Sequence, residues 1–248
     1  MSEMSTGLRA DKFLVTHGYF DTRTQAQAAI KAGKVRVNGR VLKKASMLLT
    51  TDDAVKAGRV HPWASRGGIK LDHALKSFNV NVEGLTALDV GASTGGFTDV
   101  LLTRGAERVY AVDVGHDQLH DKLKHDARVL SLEGQDAREI TADMFPSLPE
   151  IIVCDASFIS AMKVLGAALD IVASGTKLIT LVKPQFEVGR TGIGRGGLVK
   201  SKSLADQALS DVSAWISSKG WQVLETIDSP IKGGAGNAEF LLYALKLG

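Results

Sequence analysis

Four aspartates follow successive apolar stretches of the sequence: Asp89 in TALDVG, Asp113 in RVYAVDVG, Asp136 after RVLSLEG, and Asp155 after EIIVC. Carboxylates that end buried strands are well placed to hold the hydroxyl and amino groups of a nucleotide. Asp113 stands 24 residues after Asp89, near the spacing at which an acid takes ribose hydroxyls, and Asp136 is positioned for an adenine amino group. The stretch DVGASTGGFT adds Gly91, Ser93, Gly95 and Gly96, with glycines that let the backbone turn beside a ligand and a following helix that offers its N-terminus. Its spacing, GASTGG, departs from GxGxxG and so argues against NAD or FAD while leaving a nucleotide-like ligand as the expectation.

Four further charges are candidates for chemistry. Lys70 follows the phrase SRGG, Asp155 and Lys183 end two apolar runs, and Glu239 precedes the last run within GNAEF. Singly, each would serve as well in a surface ion pair, but two of them border the inferred crevice. The segment GRTGIGRGGLVKSK invites a phosphate-loop reading, yet Val199 precedes Lys200-Ser201 where that motif needs glycine, which excludes it. Its glycines with Arg190, Arg195, Lys200 and Lys202 describe either a substrate clamp or a flexible basic loop.

The elements that position these residues are short apolar runs alternating with helical patterns such as Phe97 to Leu102, Met162 to Val172 and Leu204 to Ser218. This predicts an α/β fold, a doubly wound Rossmann-like domain, with WQVLETI and EFLLYAL pairing as an antiparallel edge.

The first quarter of the chain is different. Residues 1–60 carry 11 Lys+Arg against 5 Asp+Glu, and the remainder 19 against 22. A basic module on a mildly acidic body suggests a nucleic-acid anchor, because phosphate contacts supply most sequence-independent affinity. Ala10, Phe13, Leu14 and His17 have helical spacing before Gly18, and Ala26, Ala29 and Ile30 repeat it before Gly33. His17 is expected in the core. KVRVNGRV then predicts a hairpin turning at Asn38-Gly39, with Lys34, Arg36 and Arg40 opposite Val35 and Val37. This arrangement resembles the S4 RNA-binding domain, so Arg9, Arg23, Lys34, Arg36 and Arg40, together with Arg66 beyond it, are the candidate RNA contacts. The expected organisation is an S4-like domain over 1–60, a linker over 61–67 and a catalytic domain over 68–248.

The single cysteine, Cys154, excludes a disulfide framework and a cysteine-rich zinc site, and within IIVC it reads as a buried thiol; no metal is expected. No apolar run approaches the ~20 residues of a membrane span, and the first ten residues lack a secretion signal. A cytoplasmic protein without stable membrane association is expected.

Lys70, Asp155, Lys183 and Glu239 in this order resemble the Lys-Asp-Lys-Glu tetrad of FtsJ-type ribose 2′-O-methyltransferases. The phrases SRGGIKL, LDVGASTGGFTD, YAVDVG, DASFIS, LVKPQFE and GNAEFLL resemble the TlyA family, in which an S4 domain precedes such a domain; Ala156 stands where many members carry valine. The resemblance implies S-adenosylmethionine as methyl donor, ribosomal RNA or ribosomal subunits as partner, and transfer to a cytidine 2′-hydroxyl, with some members called hemolysins. It also implies Lys183 as base or hydroxyl activator, Asp155 as its orienter, and Lys70 and Glu239 as positioning groups. A non-catalytic ribosome-assembly protein would leave the tetrad damaged, and a lytic protein would need an amphipathic membrane helix or barrel repeats. DASF lacks the Asn-Pro-Pro-aromatic pattern of amino methylation.

Overall fold

Two units divide the chain, one reaching Pro62 and the other running from Trp63 to Gly248, in a computed structural model that describes residues 7–248. The first unit comprises β1 (Leu8–Arg9), α1 (Ala10–Thr16), α2 (Arg23–Lys31), β2 (Val35–Val37), β3 (Arg40–Val41), β4 (Leu48–Leu49) and β5 (Val55–Ala57). Its core takes Ala10, Phe13 and Leu14 from α1, Ala26, Ala29 and Ile30 from α2, and Val35 and Val37 from β2. The hydroxyl of Thr22 accepts the Gln25 N–H and caps α2.

Asn38 and Gly39 turn the hairpin with φ of 50° and 77°, the left-handed pair that a two-residue turn requires. Two expectations need correction here. Arg40 pairs with Val37, and Arg36 with Val41. Directly paired residues share a sheet face, so Arg40 projects on the Val37 side and only Lys34 and Arg36 share the opposite one. His17 is exposed. It follows the last turn of α1, stacks on Phe13 with ring centroids 3.9 Å apart, and hydrogen-bonds through Nδ1 to the Phe13 carbonyl.

The second unit begins with α3 (Gly67–Ser77), followed by β6 (Thr86–Val90), α4 (Gly96–Thr103), β7 (Arg108–Asp113), α5 (Asp121–Lys124), β8 (Val129–Glu133) and β9 (Ile151–Cys154). After these come α6 (Ala161–Val164), α7 (Gly166–Asp170), β10 (Lys177–Val182), α8 (Pro184–Glu187), α9 (Lys202–Ser218), β11 (Trp221–Asp228) and β12 (Phe240–Lys246). One sheet of seven strands runs β11-β12-β10-β9-β6-β7-β8. It is parallel from β10 through β8, and β12 is antiparallel to both β10 and β11. The expected antiparallel pair is therefore present, with β12 also inserted against the parallel body. Alternation along β6 sends Leu88 and Val90 into one layer and Ala87 into the other.

Trp63 to Arg66 pack with this second unit. The Ala64 N–H donates to Asp99 Oδ2 at 2.7 Å, and a Cβ on Gly68 would lie 2.5 Å from Trp63 Cβ. The basic segment after α8 is built into the unit by Asn237, whose side chain donates to the Gly197 carbonyl and accepts the Val199 N–H, both at 2.9 Å. Burial pushes the Cys154 thiol up to about 11, which leaves it un-ionised and inert near neutral pH.

Candidate active site

Strand order reverses at β6, between β9 on one side and β7 on the other, and doubly wound sheets bind ligands at the carboxyl ends beside such a switch. Two cavities occupy this place. The larger, about 520 Å³, is walled by Asp113, Gln118, Asp136, Phe158 and Ile159 among others. The second, about 300 Å³, is walled by Ser65, Arg66, Lys70, Lys183 and Glu239 among others. Gly91, Ser93, Asp155 and Ser157 belong to both walls, so the two chambers adjoin along the carboxyl ends of β6 and β9.

All four tetrad candidates converge there from separate segments: Lys70 from α3, Asp155 after β9, Lys183 after β10 and Glu239 before β12. Lys183 Nζ lies 2.7 Å from Asp155 Oδ1, and Lys70 Nζ lies 3.3 Å from the same oxygen and 2.8 Å from Glu239 Oε2. The Lys70–Glu239 contact is one of charge and proximity without a directed hydrogen bond to Oε2. Lys70, Lys183 and Glu239 are buried. Two ammonium groups and two carboxylates make the group neutral as an ensemble, the condition under which such charges can be taken from water. Lys183 Nζ also donates to the Asp155 carbonyl at 2.9 Å and to Ser157 Oγ at 2.7 Å. Asp155 Oδ1 adds a charge contact to these two hydrogen bonds.

In the larger chamber Asp113 accepts the Ser93 N–H at Oδ2 and the Gly115 N–H at Oδ1, each at 2.8 Å. Asp136 is hydrogen-bonded by the Arg138 guanidinium and backbone, which hold its carboxyl down at about 2. Both carboxyl groups line the chamber.

The remaining loop residues differ from expectation. Asp89 is completely buried and lines neither cavity; its Oδ2 accepts the Thr98 hydroxyl at 2.7 Å. Burial, with Asp155 and Asp113 nearby, pushes Asp89 up to about 7. Gly95, at φ +88°, faces the protein as well: a Cβ there would fall 2.2 Å from Leu123 Cδ1. A Cβ on Gly96 would fall 2.2 Å from Ser65 Oγ. The glycines thus serve close approach between parts of the chain itself, and of the expected Gly91, Ser93, Gly95 and Gly96 all but Gly95 also line a cavity.

Three features escaped the sequence reading of the site. Ser157 is bonded to Lys183. Phe158 is 92% exposed with φ of 66°, and its ring lies 5.5 Å from Phe186. Glu187 accepts the Ser160 hydroxyl at 2.6 Å and the Ala161 N–H at 2.8 Å, tying α8 to the loop after β9. All lie within DASFIS and LVKPQFE, phrases that the residue types alone did not single out.

Of the candidate RNA contacts, Arg66 lines the smaller cavity. Within the first unit Arg9 and Arg23 both bind buried Asp11, at 3.2 and 2.8 Å, and hold its carboxyl well below the usual range. Their guanidinium groups remain about half exposed. Lys34, Arg36 and Arg40 are exposed. Among the described residues no group of three or more His, Cys, Asp or Glu is arranged to hold a metal ion.

The fold and site define a methyltransferase of the Rossmann-like class: residues 63–246 match the FtsJ-like methyltransferase family, and residues 8–55 match the S4 domain. The chain is 40% identical to the 16S/23S rRNA (cytidine-2′-O)-methyltransferase TlyA of Mycobacterium tuberculosis, over 97% of this chain and 90% of that one. It is also 40% identical to Hemolysin A of Brachyspira hyodysenteriae, over 95% and 99% respectively. A solved Streptococcus thermophilus structure superposes with a TM-score of 0.78 at 41% identity, covering 98% of this chain and 90% of that one. The chain belongs to the TlyA family of FtsJ-like methyltransferases.

Proposed function

We propose that this protein transfers a methyl group from S-adenosylmethionine to the 2′-hydroxyl of a cytidine in ribosomal RNA, in the ribosome's own compartment, the cytoplasm. The observation that carries this reading is the pair of chambers adjoining at Asp155, with the lysines on one side and strand-end carboxylates on the other. The larger chamber suits the donor. Asp113 would take its ribose hydroxyls, Asp136 its adenine end, and Val112, Ala137 and Ile159 provide apolar wall. The bound donor supplies an electrophilic methyl group on a sulfonium.

The chain's own residues do the rest. Arg66, at the wall of the smaller chamber, meets a phosphate, and exposed Phe158 presents a face on which a base can stack. Lys183 orients the acceptor hydroxyl and, in its neutral form, takes the hydroxyl proton; Asp155 aims Lys183, and the Lys70–Glu239 pair fixes Asp155 from the other side. In the first unit Lys34 and Arg36 anchor RNA through its backbone, supported by Arg9, Arg23 and Arg40. Mapping 2′-O-methylation on ribosomal RNA, with and without the protein, tests the proposal. A new methyl group on a cytidine ribose is expected; none in either subunit, or a methyl group on a base, would overturn it.

A further inference from the structure

Lys183 Nζ is already engaged before any acceptor arrives. It donates to two oxygens, the Asp155 carbonyl at 2.9 Å and Ser157 Oγ at 2.7 Å, while Asp155 Oδ1 stands 2.7 Å away as a charge contact without a directed hydrogen bond. These partners differ in how readily they can leave. The carbonyl is fixed in backbone directly after β9, and Oδ1 carries the charge that balances the ammonium. Ser157 Oγ is neutral and moves by rotation about one side-chain bond, and its residue lines both chambers.

We propose that Ser157 is a positioning residue that occupies a hydrogen-bond position of Lys183 and yields it to the acceptor hydroxyl. The inference rests on the proposed reading of Lys183 as the group that meets the acceptor. Before substrate arrives, the serine oxygen stands where an alcohol oxygen must come to be activated, so Lys183 is aimed in advance by a hydroxyl of the same chemical kind. While Ser157 Oγ accepts from Lys183 it favours the ammonium form, so deleting that hydroxyl makes the amine easier to deprotonate. Exchange of one neutral hydroxyl for another therefore keeps Lys183 aimed at the oxygen that it is to activate. The loop that carries Ser157 is braced on its far side by Glu187, which binds Ser160 Oγ and the Ala161 N–H, so its exchange is confined to the side chain.

Other ionisable groups around Lys183 set its baseline. Asp155 faces it after β9, Lys70 from α3 and Glu239 before β12, with Arg66 on the wall of the same chamber. Cys154, which precedes Asp155, and Asp89, which pairs with Val153 across β6 and β9, are both buried. Ser157→Ala alters none of these charges and removes one acceptor.

The test is competitive labelling of Lys183 by acetic anhydride across pH, read by mass spectrometry on the full chain without cofactor or RNA. In Ser157→Ala the labelling midpoint of Lys183 is expected to fall by about half a pH unit or more, roughly threefold in proton affinity, because one hydrogen bond to the charged form is lost. Ser157→Thr, which keeps the hydroxyl, is expected to retain the wild-type midpoint. An unchanged midpoint in the alanine variant, or the same fall in both variants, would overturn the proposal. Thermal melting verifies the fold of each, and a variant that fails to fold is replaced by Ser157→Gly or Ser157→Cys under the same criterion. Methyl transfer by the wild-type chain is measured in parallel: its absence would overturn the functional reading, whereas transfer with an unmoved midpoint would overturn the role of Ser157 alone.

Discussion

Gly91 and Ala156 touch backbone to backbone: a Cβ on Gly91 would lie 2.8 Å from Ala156 Cα and 3.0 Å from its nitrogen. This contact joins the loop after β6 to the loop after β9, the two segments that form the wall common to both chambers. Gly91 also has φ of +80°, where an L side chain is strained. Gly91→Ala is expected to lower the melting temperature by about 5 °C, the scale set by ~1–2 kcal/mol of strain in a domain of this size. It should also weaken S-adenosylmethionine binding by at least about tenfold, equivalent to ~1.4 kcal/mol. Calorimetry and a thermal melt measure both.

Asp89 gives a stability prediction with a definite sign. Burial pushes its folded carboxyl up to about 7, above the ordinary aspartate value of 3.8 that applies once the chain unfolds. The folded state then binds the extra proton between these values, so the Asp89 contribution is full below about pH 4 and is lost as pH rises through about 7. Asp89→Asn removes this dependence. The melting temperature of the variant, relative to wild type, is expected to be higher at pH 8 than at pH 5; equal differences at both would refute the assignment.

The tetrad lysines are expected to separate by stability and by rate. Lys183→Met should fold, bind the donor and lose about 100-fold or more in single-turnover transfer on preformed complex. Lys70→Met instead leaves buried Glu239 without its cationic partner and should cost a few kcal/mol. Adding Glu239→Gln to Lys70→Met should restore much of the melting temperature and none of the lost rate. A loss below tenfold for Lys183→Met would remove its chemical role.

Substituting Lys34, Arg36 and Arg40 together by alanine should weaken RNA binding while leaving donor affinity unchanged. Each lost phosphate contact should also flatten the log–log salt dependence by about 0.7 to 0.9. Because Arg40 lies on the Val37 face, Arg40→Ala alone should change less than Arg36→Ala alone. Filter binding over a salt series checks both statements.

Periodicity and strand-end chemistry exposed much of this molecule in its sequence. The apolar runs marked the strands, and position at their ends marked Asp113, Asp136, Asp155 and Lys183, which do line the cavities. What stayed hidden depends on which way a side chain turns and on contacts distant in sequence. Asp89 shares a strand-end address with the other aspartates, but its place on the Ala87 face turns it inward to Thr98. Gly95 reads as a ligand-approach glycine until Leu119 and Leu123 are seen packed over it. His17 has helical spacing with Phe13, but lies at the last turn, where the face it shares runs out into solvent. Ser157 is an ordinary loop serine until the carboxyl end of β10 brings Lys183 to it.

The Lys70–Glu239 pair also sets an order of assembly. Glu239 leads into β12, which must insert between β10 and β11 before its carboxylate can reach the lysine on α3. During synthesis Lys70, Asp155 and Lys183 emerge long before this last strand. A growing chain therefore holds two lysines against one carboxylate, and the charge balance of the site is completed only when β12 is threaded into the sheet. Such a long-range strand pairing is among the slower events of folding. A chain that stops short of Glu239 therefore has Lys70 without that carboxylate partner.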